Sequence, residues 1–99
     1  MPQTPKLIFV DITSGVKGQS VTFRNRTTGG IISTTIPETA VALIDCNNFE
    51  KGFTEGDVVD ISVSGERLGS TSVTLTSESA DNTSISTSAI TSGLIRGIR

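Results

Sequence analysis

The sequence predicts an all-β protein: an antiparallel two-sheet β-sandwich of about seven strands. Three observations carry that expectation. Of 99 residues, 34 are Val, Ile or Thr, whose branching at Cβ suits a pleated surface, against only 5 Leu and 4 Ala. Apolar residues recur at every second position in short runs, not at helical spacing. Gly, Asn, Asp and Pro punctuate those runs roughly every ten residues, as in sandwiches and barrels. The length fits a single domain, 1–99.

The elements follow in order. Lys6–Thr13 is the first strand, and the turn-rich Ser14–Gln19 follows it. Ser20–Asn25 alternates, with Val21 and Phe23 on one face and Thr22 and Arg24 on the other. Arg26–Gly30 makes a tight connection into Ile31–Ile36, which Pro37 ends because it has no N–H for the ladder. Ala40–Ile44 is the fourth strand. Asp45–Asp57 is a longer acidic loop that closes on the turn Glu55-Gly56-Asp57. Val58–Ser64 turns Val59, Ile61 and Val63 inward, and Ser64–Arg67 is a turn. Gly69–Thr76 places Val73 and Leu75 inward, Ser77–Asn82 connects, and Thr83–Ile90 is the last strand. No segment reads as a helix.

Two segments break the rule of one apolar face per strand. In the first strand Leu7 and Phe9 point one way while Ile8, Val10 and Ile12 point the other, so both faces call for cover. The C-terminal stretch carries Leu94, Ile95 and Ile98 within its last six residues. Segments 1–12 and 93–99 are therefore expected to contact neighbouring subunits.

Composition excludes whole classes of function. Without His there is no Ser-His-Asp triad, His-ligated zinc or His general base. One cysteine makes neither a disulfide framework nor a Cys-cluster metal site. A net charge of −2 with pI near 4.9 gives no electrostatic basis for nucleic-acid binding. Four Phe and no other aromatics offer little for base stacking. No apolar run reaches the roughly 20 residues of a membrane span. The start, Met1–Val10, is not expected to act as a secretory signal, because its apolar stretch is short and no small-residue cleavage site follows. Cys46 is then expected to be a reduced, buried thiol with no His to activate it.

Several polar groups invite a site and are read as structural. Asp45, Glu50, Glu55, Asp57 and Asp60 lack the alternating spacing of a calcium loop. Asp57 is expected to cap a turn and Asp60 to face solvent. Arg24 and Arg26 project from one face and are candidates for contact with a partner. Gly29-Gly30 precedes no helix and is a turn, not a phosphate cradle. An amide cross-link of Lys6 or Lys17 with Asn82 is a remote candidate that nothing in the spacing selects.

Asn25, Thr28 and Gly29 after a Val-containing strand, and Gly56-Asp57 before Val58, carry a family resemblance over residues 20–76. This stretch resembles the transthyretin-like, carboxypeptidase-regulatory-type sandwich domain. It departs from that family in having Glu38-Thr39 where a turn glycine is usual before the fourth strand. The hydrolase branch of the family depends on histidines, which are absent, so the resemblance implies no hydrolase activity. It implies a stand-alone sandwich of the kind that tailed viruses use as accessory proteins on heads, tails and fibres.

The expectation is therefore a non-enzymatic structural protein: a capsid decoration or accessory protein, made in the host cytoplasm and located on the virion. Its partners would be capsid or tail subunits or further copies of itself, with no nucleic acid, membrane, small-molecule substrate or cofactor. The contact residues would be Leu7, Phe9, Arg24, Arg26, Leu94, Ile95 and Ile98. Attachment would use strand edges and apolar contact, with loops Thr27–Gly30 and Asp45–Asp57 presented outward. The alternative is an Ig-like binding or adhesion module of a larger surface or tail assembly.

Overall fold

A computed structural model describes residues 5–89. Eight strands appear: β1 (Leu7–Thr13), β2 (Ser20–Asn25), β3 (Ile31–Thr35), β4 (Val41–Asp45), β5 (Val58–Ser64), β6 (Arg67–Thr74), β7 (Ala80–Ser86) and the two-residue β8 (Ser88–Ala89). A single 3₁₀ turn, Cys46–Asn48, is the only helical element among the described residues. The strands form two packed sheets, ordered β4-β1-β7 and β3-β2-β5-β6-β8. The expected sandwich is the observed architecture.

Alternation decides which side chains meet between the sheets. Ile8, Val10 and Ile12 of β1 face Val21 and Phe23 of β2 and Val59, Ile61 and Val63 of β5, all essentially buried in one core. Each such side chain taken fully out of water contributes about 1.5–3 kcal/mol. The register Phe23↔Ile61 and Val21↔Val63 keeps these residues in step across the antiparallel β2–β5 ladder.

Three features depart from the expected outline. One ladder is parallel: β1 pairs with β7 in the register Leu7↔Ala80 through Thr13↔Ser86. Alternation is the same in parallel and antiparallel strands, so strand direction does not show in the sequence pattern. The last strand is also not Thr83–Ile90. It starts at Ala80, ends at Ser86 and crosses to the other sheet as β8. Its beginning is hidden because Asp81, an inward position, is polar and paired to Lys6. Thr87 makes the crossing: its hydroxyl donates to Thr13 O at 3.0 Å and accepts from Arg67 Nε at 3.1 Å. Gly69 lets β7 pass close to β6, since a Cβ there would lie 2.5 Å from Ile85 Cγ2.

The Asp45–Asp57 loop is the third departure, because it is not simply presented outward. Cys46 and Phe49 are core residues and Asp57 is buried. The Asp45 carboxylate caps the 3₁₀ turn by accepting from Asn47 N at 3.0 Å. The apolar pair Cys46 and Phe49 pins the loop down, leaving Glu50, Lys51, Glu55 and Gly56 exposed.

Candidate functional site

The outer face of the β4-β1-β7 sheet is built by alternation and register alone. Leu7 aligns with Asp45 on β4 and Ala80 on β7; Phe9 aligns with Leu43 and Asn82; Asp11 aligns with Val41 and Ser84. The result is an apolar stripe of Leu7, Phe9, Val41 and Leu43 with an aspartate at each end. Leu43 is 47% exposed, and Leu7, Phe9 and Val41 are half-buried. A sheet face turned to water is normally polar. A shallow groove of about 470 Å³ runs along this face between Phe9, Val41, Asn82 and Ser84.

Leu7 and Phe9 are thus brought together as expected, but in the middle of the sheet. Both edges of β1 are already hydrogen-bonded, to β4 and to β7, so contact through β1 is face-on and not through a strand edge. Leu94, Ile95 and Ile98 lie outside the described residues. Val41 and Leu43 were missed by the sequence reading. Their signal was present: β4 is apolar at four successive positions, Val41 to Ile44, just as β1 is on both faces.

The two arginines are on the opposite side of the molecule. Arg24 and Arg26 are both exposed, and Arg24 aligns with Asp60 across the β2–β5 ladder. Arg26 binds Asp60 with two of its guanidinium nitrogens, Nε at 3.1 Å and Nη2 at 2.5 Å, so its charge is met by a residue of β5. That bond holds the Asp60 carboxyl below its ordinary pKa. Asp60 lies on the solvent-facing side of β5 as expected, and there it is held in this pair.

Asn25 and Asp57, each at a turn, meet in one buried knot. Asn25 is fully buried and donates Nδ2 to Asp57 Oδ2 at 2.9 Å. Asn25 Oδ1 accepts from Thr27 N at 2.9 Å, and Asp57 Oδ2 also accepts from Thr54 N at 2.9 Å. These bonds, that from Asn25 foremost, hold the Asp57 carboxyl below its ordinary pKa. The knot joins two turns and leaves Asp57 without a free face for catalysis. Asp57 caps its turn as anticipated.

A second buried polar group lies at the start of β1. Lys6 Nζ sits 2.8 Å from Asp81 Oδ2, with both side chains under 10% exposed. It also donates to Thr76 O at 2.7 Å and to Glu78 O. Asp81 accepts in addition from the Thr76 hydroxyl at 2.6 Å. The cross-link pairs considered from sequence are not brought together: Asn82 is exposed on the outer face, and Lys17 pairs with Glu38 at 2.8 Å. Cys46, behind this pair, is pushed up to about 11 by burial and is a poor nucleophile at neutral pH.

Among the described residues no three Asp, Glu, His or Cys side chains gather where they could hold a metal ion. No helix among them is long and apolar enough to cross a membrane. Val16, Ile31 and Leu68 are exposed apolar side chains elsewhere among the described residues, but Leu43 is the one that continues into a stripe with Leu7, Phe9 and Val41. Comparison with known protein families, with curated proteins and with solved structures found no match for this chain.

Proposed function

We propose that this protein is a non-enzymatic structural component that holds to a protein assembly through the outer face of its β4-β1-β7 sheet. The assembly we favour is a virus particle, on which the chain serves as a decoration or accessory protein. The observation that carries the attachment is the stripe Leu7, Phe9, Val41 and Leu43, since apolar side chains on a water-facing sheet gain free energy only when covered. What supports the virus assignment is the resemblance of residues 20–76 to the transthyretin-like, carboxypeptidase-regulatory-type sandwich domain, which implies a stand-alone sandwich of the kind that tailed viruses use as accessory proteins. The remaining surface is rich in Ser and Thr and suits a protein that stays soluble before it docks.

Density-gradient sedimentation tests the reading in lysate of the cells that natively make the protein. The full chain should migrate with virus particles, while a Leu43→Asp variant of unchanged circular dichroism should stay at the top. A native chain found only at the top of the gradient overturns the proposal.

A further inference from the structure

We infer that β3 is a docking edge for a second copy of this chain, the two β3 strands pairing antiparallel about a two-fold axis beside Ser33. The inference goes beyond the attachment reading above and leaves the outer face of the β4-β1-β7 sheet open.

Which backbone groups face outward follows from the ladder. Asn25 N donates to Gly30 O at 2.8 Å and Ile36 N donates to Gln19 O at 3.0 Å, at the two ends of the β2–β3 pairing. Bonded and non-bonded pairs alternate along an antiparallel ladder, so Ile32 and Thr34 bond to β2. Ile31, Ser33 and Thr35 point their N–H and C=O groups the other way, and β3 is the last strand of its sheet. A row of alternating donors and acceptors is met at every position by another extended strand.

The other edges are closed or guarded. β6 and β7 pack side by side, with Gly69 against Ile85, and β8 pairs with the start of β6. β4 ends on Asp45, a charge that a second β4 would have to bury beside Val41. β3 has no such guard. From Gly29 to Pro37 there is no charged side chain, and proline comes only after the strand has ended. The register from Ser20↔Thr35 to Arg24↔Ile31 runs without a bulge. Ile31 is 58% exposed, the most of any large apolar side chain among the described residues.

The strand is also its own complement. With Ser33 opposite Ser33 of the second copy, Ile31 lies opposite Thr35 and Thr35 opposite Ile31. All three pairs are of the kind that exchange two N–H···O bonds. Small side chains meet at the centre, each Ile31 is flanked by a β-branched threonine, and no like charges oppose. A two-fold contact of this kind uses one surface on both copies. Its axis is perpendicular to the paired sheet, so the stripes of Leu7, Phe9, Val41 and Leu43 on the two copies turn to the same side. Two stripes on one body raise the effective concentration of the second once the first has docked.

The test is size exclusion with light scattering of the purified full chain at about 100 µM. The expected mass is twice 10.3 kDa. Ser33→Pro removes an N–H that β2 does not use, and Ile31→Lys places a charge on the edge. Each should return the monomer with unchanged circular dichroism, while Leu43→Asp, on the other sheet, should stay dimeric. In Ser33→Cys the facing Cα atoms would lie about 5.5 Å apart, within disulfide reach, so mild oxidation should link two chains. Ser62→Cys, exposed within the same sheet on β5, should stay single. A full chain of monomer mass overturns the inference, and so does a dimer that survives both edge variants or is lost in Leu43→Asp. Equal linking of Ser33→Cys and Ser62→Cys overturns it as well. If Ser33→Pro loses its circular dichroism, Ile31→Lys decides alone. The gradient experiment is read apart from these masses, so the two readings fail separately.

Discussion

Replacing Lys6 by Met removes the ammonium and keeps the apolar stem, leaving the Asp81 carboxylate buried without its counter-charge. All three ammonium protons are used, on Asp81, Thr76 O and Glu78 O. Breaking one half of such a buried pair costs about 3–5 kcal/mol. A domain of this size has on the order of 5–15 kcal/mol in total. With a urea slope of roughly 1–3 kcal/mol per molar, the midpoint should fall by about 2 M. Urea unfolding of the full chain, followed by far-ultraviolet circular dichroism because Trp and Tyr are absent, reads this directly.

Acid gives the same variant a second signature. Burial pushes the Asp81 carboxyl up, but the bonds from Lys6 and Thr76 outweigh it and hold the group below its ordinary value. In the native chain this contribution is complete above the unfolded carboxyl pKa, about 4, and is lost as pH falls through the lower folded value. Without Lys6, burial dominates and protonation of Asp81 relieves the variant. The deficit of Lys6→Met should therefore narrow from pH 7 to pH 4. A deficit under about 1 kcal/mol at pH 7, or one that widens in acid, refutes the account of this pair.

Three further expectations concern packing and reactivity. Gly69→Ala drives a methyl to 2.5 Å from Ile85 Cγ2 and should cost about 1–3 kcal/mol; an unchanged Tm would mean that β6 and β7 pack more loosely than described. Ala40 holds φ +64° in the turn before β4, so Ala40→Gly should stabilise by up to about 1 kcal/mol, and a fall in Tm would show that its methyl matters more than its strain. Cys46, with its pKa near 11, should react with a disulfide reagent at pH 8 only after unfolding, whereas rapid native labelling would place it at the surface.

In the turn that carries Glu38-Thr39 the left-handed conformation falls on Ala40, a residue that meets a positive φ at some cost.

Strand content, the position of most strands and the inward faces of β2 and β5 were legible in the sequence. They depend on Cβ branching, alternation and turn residues, which act over neighbouring positions. The double-faced character of β1 was legible for the same reason, and so was the burial of Cys46. Tertiary structure alone decided what depends on partners distant in sequence. It set β1 between β4 and β7, one of them parallel, and so made Leu7 and Phe9 a face with Val41 and Leu43. It buried Lys6 with Asp81 across 75 positions and tied Asn25 to Asp57, where polar residues at inward positions disguise strands and loops as surface. A period of two tells each side chain which side of its own strand it takes, but only the register between strands decides which neighbour it meets there.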